Sequence, residues 1–259
     1  MACIFFDIDG TILDSSNIIP DSTIEAVALL RKKGHYSFIC TGRSKAFIRD
    51  ERFFNMGFSG IVSGCGTMVE YKDKLLLREI IPKAKAEETL RTIRFYNFKP
   101  ILEGYEYLYM DDEDFNGNPF ADKLKKEIGK YILPLSSNWG NWEMCKLSCD
   151  TEGCNVTEAF EILKKDYNLL IHNENVLELV PIGYDKATGM KLICNYLNIP
   201  IEESVAFGDS INDLGMLKAA GRSVVMGNGS DKVKSLADYV TTDILDDGIW
   251  NGCRHLGLI

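Results

Sequence analysis

Short apolar runs alternate with amphipathic stretches at both ends of the chain, and this rhythm predicts most of its elements. Ala2 to Ile8 is short, apolar and rich in Ile and Phe, which predicts a buried strand. Asp21-Ser22-Thr23, followed by Ile24, Ala28 and Leu29, predicts a capped helix that stops near Gly34. Tyr36 to Cys40 reads as a second strand running into Thr41-Gly42-Arg43. Ser44 to Met56 reads as a helix and Gly60 to Ser63 as a third strand. The same grammar returns after residue 184. Lys186 to Leu197 is helical, with Met190, Ile193 and Leu197 on one face, and Ser204 to Phe207 is a strand entering Gly208-Asp209. Leu214 to Ala220 is a short helix stopped by Gly221, and Ser223 to Met226 and Tyr239 to Thr241 are further strands. Strands alternating with helices call for an α/β fold with a parallel sheet covered on both faces.

The middle of the chain has a different order. Helices are expected at Lys83 to Tyr96, Phe120 to Tyr131 and Val156 to Tyr167. Strands are expected at Lys99 to Glu103, Tyr105 to Met110, Glu143 to Ser148, Leu169 to His172 and Val176 to Val180. Adjacent strand pairs between helices imply an α+β module with an antiparallel sheet. The expected organisation is therefore a Rossmann-like core from residues 1–81 and 184–259, with an inserted α+β domain at 82–183, bracketed by Pro82 and Pro181.

Composition narrows the function classes. The chain has 259 residues, a net charge of -9 and 46% hydrophobic residues, ordinary values for a globular protein apart from the acidity. The acidity argues against a broad nucleic-acid footprint, which needs a basic face. No apolar run approaches the ~20 residues of a membrane span. The eight cysteines fall largely in apolar runs, as at Cys3, where a free thiol behaves as a small core residue. With no secretory signal before Phe5-Phe6, a reducing cytoplasm is the expected location. Cys145, Cys149 and Cys154 cluster, but without the spacing of a closed zinc site. Asp111-Asp112-Glu113-Asp114 reads as a solvated loop.

The candidate chemistry sits at strand ends, where open α/β sheets bind ligands. Asp7 and Asp9 follow the first strand, and two residues apart in an extended segment they point the same way. One carboxylate can attack phosphorus and the other can protonate a leaving oxygen and later deprotonate water. Asp209, after a later strand, can join Asp7 on a hard cation. Magnesium suits such oxygen ligands, and would offset repulsion between a phosphate and the Asp7 carboxylate. Ser210, Asn212 and Asp213 also suit a simple helix cap. Thr41-Gly42 offers a hydroxyl and a backbone N–H for phosphate oxygens, and Lys186 can neutralise both Asp7 and phosphate.

Together these segments resemble the haloacid dehalogenase superfamily of aspartate-nucleophile phosphotransferases. Asp7-Ile8-Asp9-Gly10-Thr11 is similar to its first motif, Thr41 to its second, Lys186 to its third, and Gly208-Asp209-Ser210-Ile211-Asn212-Asp213 to its fourth. The resemblance implies a catalytic pair, Asp7 as nucleophile and Asp9 as general acid/base. It implies Mg2+ held by Asp7, the Asp9 carbonyl and Asp209, supported by Asp213. It further implies phosphate binding by Thr41, Gly42, Lys186 and Asn212. In this superfamily a cap is inserted between motifs. Only 34 positions separate Asp7 from Thr41, whereas 145 separate Thr41 from Lys186, so the middle module is the expected cap, with an element order similar to the Cof-type group. Two departures stand out: Cys65-Gly66 where many Cof-type members have Asn-Gly, and Ala187 rather than Gly after the lysine.

The function expected is a magnesium-dependent phosphatase of small phosphate esters, sugar phosphates foremost, acting through an aspartyl phosphate. A hexose-phosphate mutase and a non-catalytic phosphometabolite sensor are the alternatives. Neither nucleic acid nor membrane is an expected partner, and the oligomeric state is open. Trp139, Trp142, Tyr105, Tyr107 and Glu143 are candidates for substrate specificity, with core packing or surface placement as the competing reading.

Overall fold

A computed structural model describes residues 1–173 and 175–259. Along the chain, β1 (Cys3–Phe6), α1 (Asp21–Lys32), β2 (Tyr36–Cys40), α2 (Glu51–Asn55) and β3 (Gly60–Ser63) are followed by a hairpin, β4 (Met68–Tyr71) and β5 (Lys74–Arg78). The middle module contains α3 (Lys83–Phe95), β6 (Lys99–Glu103), β7 (Leu108–Tyr109), α4 (Pro119–Ile128) and β8 (Ile132–Leu133). It continues with β9 (Lys146–Asp150), α5 (Val156–Leu163), β10 (Tyr167–Asn173) and β11 (Val176–Pro181). The last third holds α6 (Lys186–Leu197), β12 (Val205–Gly208), α7 (Leu214–Ala219), β13 (Arg222–Val225), α8 (Asp231–Lys234), β14 (Tyr239–Val240) and α9 (Gly248–His255).

These elements form two compact units: residues 1–42, 50–76 and 185–259, and residues 43–49 and 77–184. In the first unit the sheet order is β14-β13-β12-β1-β2-β3-β4-β5. Its pairs from β14 through β3 are parallel, and β4 turns antiparallel to β3. The chain builds outward from β1 to β2 and β3, then returns to add β12, β13 and β14 on the other side. The strand order therefore reverses at β1, which in an open parallel sheet opens a crevice at the strand's carboxyl end. β1 can occupy this central place because Cys3, Ile4, Phe5 and Phe6 are all fully buried. Phe6 stacks on Phe207 of β12 and Phe5 on Phe38 of β2, at centroid distances of 4.8 and 5.1 Å. Side chains of this size each contribute about 1.5–3 kcal/mol on burial.

The second unit's sheet runs β10-β11-β9-β6-β7-β8 and is antiparallel except between β7 and β8. One face, with Leu102, Tyr109, Leu147, Cys149, Leu177 and Leu179, packs on Ala86, Leu90 and Ile93 of α3 and Ala159 and Leu163 of α5. Ile101 and Leu108 instead join Ala121, Leu124 and Ile128 of α4. Side chains alternate across a strand, so Ile101 shares its side of β6 with Glu103.

The expected helix from Ser44 to Met56 is not continuous. Lys45–Phe47 is a single 3₁₀ turn, Ile48 leaves helical geometry at φ -95° and ψ 88°, and α2 begins only at Glu51. Tertiary packing overrides the local pattern here. Residues 43–49 belong to the second unit, where Ala46 is buried in the cluster of Ile101, Leu108 and Met110. The Arg49 guanidinium donates to the Glu106 carbonyl at 2.7 Å and lies 3.8 Å from the Tyr131 ring centroid. The β4–β5 hairpin and α9 lay outside the expected elements altogether. No helix among the described residues is long and apolar enough to cross a membrane.

Candidate active site

Two acids leave the sheet on either side of the point where strand order reverses. The Asp7 backbone N–H donates to the Phe207 carbonyl at 3.0 Å, so Asp7 continues the β1–β12 ladder by one step. Asp209 follows β12 directly. Residues 8–13 then turn tightly, with the N–H groups of Thr11, Ile12 and Leu13 all directed to the Ile8 carbonyl. Gly10 makes this turn at φ +82°, and a Cβ there would lie 2.4 Å from Oδ2 of Asp209. A left-handed backbone and a close approach thus both require glycine at this position.

Lys186 joins the two halves. It opens α6, whose start is fixed by a capping box: Asp185 accepts from the Thr188 N–H at 2.7 Å, and the Thr188 hydroxyl accepts from the Asp185 N–H at 3.0 Å. Gly66 (φ +86°) lies so close to this turn that a Cβ would meet the Asp185 carbonyl at 2.0 Å. The Gly of Cys65-Gly66 is therefore dictated by contact, while Cys65 itself holds a left-handed conformation at φ 53° and ψ 42°. A cation at a helix N-terminus opposes the helix dipole. Here two carboxylates outweigh it: Lys186 Nζ donates to Oδ1 of Asp7 and to Oδ1 of Asp213, both at 2.6 Å.

Asp213 is the hub of the fourth segment. Its Oδ2 accepts from the backbone N–H groups of Asp209 and Ser210, each at 3.0 Å. Its side chain is fully buried, Lys186 is 2% exposed and Asp7 4%. One carboxylate oxygen from each of Asp7, Asp209 and Asp213 lies within 4.8 Å of the others. Burial, partly offset by the Lys186 charge, raises the Asp7 carboxyl well above its ordinary range, and the charges of Asp213 and Asp9 push the same way. Burial and then the Asp213 charge lift Asp209 to about 7. Burial works against the Lys186 charge, but the carboxylates of Asp213 and Asp7 prevail and hold it protonated. With all three carboxylates ionised, one ammonium would leave the cluster two charges short of neutrality. Hard oxygen donors in that arrangement fit a divalent cation such as magnesium.

The other expected residues fall as follows. Asp9 is exposed, and it does not belong to the carboxylate cluster; its charge nonetheless acts on Asp7 and Asp209. The chain turns at Ile8, whose carbonyl accepts from the N–H groups of Thr11, Ile12 and Leu13, and Asp9 forms a bridge to Leu13. Thr41 and Gly42 are buried beyond β2, with the Thr41 N–H donating to the Val62 carbonyl and its carbonyl accepting from the Cys65 N–H. Asn212 is half-buried, and its Oδ1 accepts from the Ser210 hydroxyl at 2.5 Å. Two supports escaped the sequence reading. The Thr11 hydroxyl donates to Oδ1 of Asp209 at 3.4 Å. The Asn228 amide donates to the Gly10 carbonyl at 2.7 Å, while its Oδ1 accepts from the Ile244 N–H at 3.1 Å. The turn signal Gly227-Asn228-Gly229 was visible, but its link to Gly10 crosses 218 positions.

The specificity candidates resolve within the second unit. Trp142 and Tyr107 belong to its core or pack against it, Glu143 pairs with Arg78, and Tyr105 lies under the Arg78 guanidinium. Trp139 is half exposed and meets Trp142 edge-on.

Comparisons with known proteins agree with this architecture. The profile of the haloacid dehalogenase-like hydrolases matches residues 4–252. YkrA of Bacillus subtilis is 31% identical over 273 aligned positions, covering 99% of this chain and 98% of that protein. The 5-amino-6-(5-phospho-D-ribitylamino)uracil phosphatase YcsE of the same species is 27% identical, covering 97% of this chain and 94% of its own length. Among solved structures, a subclass IIB sugar phosphatase of the superfamily superposes with a TM-score of 0.82 at 26% identity, over the whole of both chains. With the acids at the strand-order reversal and the match along nearly the full chain, this protein belongs to the haloacid dehalogenase-like hydrolases and is a phosphatase acting on phosphoric monoesters.

Proposed function

We propose that the protein is a magnesium-dependent phosphatase of small hydroxylated metabolites, with sugar and sugar-alcohol phosphates as its substrate class. The observation that carries this reading is the meeting of Asp7, Asp209 and Asp213 around Lys186 at the carboxyl ends of β1 and β12. The substrate class is supported by the relatives: YcsE is named for a ribityl phosphate and the structural neighbour for sugar phosphates.

In this reading Asp7, the Asp9 carbonyl and Asp209 hold Mg2+. Asp213, with Oδ1 accepting from Lys186 and Oδ2 from the Asp209 and Ser210 N–H groups, would support the site from beside it. The ion would neutralise the crowded carboxylates and keep Asp7 ionised against the cost of its burial. Asp7 attacks phosphorus, the bond from phosphorus to the ester oxygen breaks, and Asp9 delivers its proton to that oxygen. Water then attacks the aspartyl phosphate, gives its proton to Asp9, and releases Asp7 and inorganic phosphate. An exposed Asp9 suits a group that must meet both leaving group and water. Thr41, Gly42, Lys186 and Asn212 hold the phosphoryl oxygens, and residues 82–183 form the cap domain. The test is Asp7→Asn assayed on p-nitrophenyl phosphate and a panel of sugar and sugar-alcohol phosphates, with and without magnesium. Turnover should fall at least 10³-fold; retained turnover by the purified variant removes Asp7 from the nucleophile's role.

A further inference from the structure

The turn after β13 touches both sides of the candidate site. Its residues, Met226-Gly227-Asn228-Gly229-Ser230, stand one strand removed from β1, because the sheet order is β13-β12-β1. Asn228 nonetheless reaches past the end of β12: its Nδ2 donates to the Gly10 carbonyl at 2.7 Å. The Ser230 N–H donates to the Asp209 carbonyl at 3.1 Å. Gly229, between them, is buried, and a Cβ there would lie 2.8 Å from that same carbonyl oxygen. One short turn thus holds the backbones of Gly10 and Asp209, which themselves meet in the site.

A further layer holds the turn. The Gly227 N–H donates to the Thr242 carbonyl at 2.9 Å, and Asn228 Oδ1 accepts from the Ile244 N–H at 3.1 Å. Within the amide only the oxygen can accept that N–H, so the Ile244 contact turns the NH2 end toward Gly10. From α9, Asn251 Nδ2 donates to the Thr242 hydroxyl at 2.9 Å and to the Asp246 carbonyl at 3.1 Å. Residues 242–246 are therefore braced from behind, and the brace ends at the loop that follows Asp7. The two ends of Asn228 differ in what they join. The contact with Ile244 ties the turn to a neighbouring segment, as turn residues commonly do. The contact with Gly10 crosses 218 positions and bears on the loop that departs from the nucleophile. A catalytic constellation is sensitive to displacements of about 1 Å, which gives the second contact a use that the stability of the turn does not require.

We propose that the turn at residues 226–230 is a positioning element for the phosphatase reaction: it sets the spacing between the nucleophile's loop and Asp209, and so the fit of the acids to the metal ion. Asn228 and Gly229 act through Gly10 and Asp209, and Asn251 acts on the turn from α9. The proposal rests on the reading of Asp7 and Asp209 as magnesium ligands. Its test compares full-length Asn228→Asp, Gly229→Ala and Asn251→Ala with wild type in p-nitrophenyl phosphate hydrolysis across a magnesium titration, beside thermal unfolding. Asn228→Asp keeps an oxygen for the Ile244 N–H but sets a carboxylate oxygen against the Gly10 carbonyl. Gly229→Ala drives a methyl group against the Asp209 carbonyl. In both, kcat should fall about tenfold or more and half-activation should need about threefold more magnesium, with KM at saturating magnesium within about twofold of wild type. An added carboxylate attracts cations, so a raised magnesium requirement in Asn228→Asp reports geometry rather than charge. Tm of Asn228→Asp should stay within about 4 °C of wild type. Asn251→Ala should shift kcat and the magnesium requirement in the same direction by a smaller factor. Unchanged kcat and magnesium requirement in Asn228→Asp overturn the proposal, whatever becomes of the fold in Gly229→Ala. A rise in KM with the magnesium requirement unchanged also overturns it, by making Asn228 a substrate contact. A wild-type enzyme that needs no magnesium overturns the reading of the metal site instead.

Discussion

Replacing Gly10 by alanine tests whether the first loop and the fourth segment act as one unit. The added methyl carbon must tolerate φ +82°, and it would stand 2.4 Å from Oδ2 of Asp209, 2.6 Å from Cγ and 2.8 Å from Oδ1. A left-handed alanine costs roughly 1–2 kcal/mol, which for a chain of this size lowers Tm by about 2–4 °C. Ordinary van der Waals contact begins near 3.4 Å, so the Asp209 carboxylate must retreat by about 1 Å. A displacement of about 1 Å in a catalytic constellation costs on the order of 100-fold in rate, or about 2.7 kcal/mol of barrier. The assay is p-nitrophenyl phosphate hydrolysis across a magnesium titration, beside a thermal scan. The expected outcome is a modest drop in Tm, a fall of about 100-fold in kcat/KM, and half-activation at a higher magnesium concentration. A variant within threefold of wild type in rate and unchanged in its magnesium requirement would refute the coupling of Gly10 to Asp209.

Further predictions follow from neighbouring contacts. Lys186→Met leaves the buried carboxylates of Asp7 and Asp213 without their ammonium, and breaking a buried pair this way should cost about 3–5 kcal/mol in urea unfolding and abolish turnover; wild-type stability would mean that the ion pair is not formed. Asn228→Ala removes the amide that holds the Gly10 carbonyl and the oxygen that receives the Ile244 N–H; it should lower stability by about 1–2 kcal/mol and slow hydrolysis roughly tenfold, and an unchanged rate would detach this residue from the loop's positioning. Chelation with EDTA should stop hydrolysis and magnesium should restore it, while thermal scans should show that magnesium raises Tm, since a ligand bound only by the folded state stabilises it; full activity after exhaustive chelation would remove the ion from the mechanism.

The sequence by itself determined the framework of this protein. Runs such as Cys3-Ile4-Phe5-Phe6 and Val205-Ala206-Phe207 are apolar without interruption, and only a strand buried on both faces accommodates them. That local rule delivered the parallel core, the antiparallel middle module and the placing of Asp7, Thr41 and Asp209 at strand ends. Tertiary structure decided what depends on contacts between distant residues. Residues 43–49 carry a helical pattern yet pack into the second unit through Ala46 and Arg49, because burial there outweighs a weak local propensity. The antiparallel β4 adds to β3 at an edge that no periodicity marks. Asp213, read as a cap residue in support, proved to be the carboxylate that grips Lys186, since 27 positions in sequence say nothing of 2.6 Å in space. Asn228 and Glu103 are polar residues among many in the sequence. Only the fold puts one under the Gly10 carbonyl, and leaves the other with a buried oxygen that no described residue satisfies.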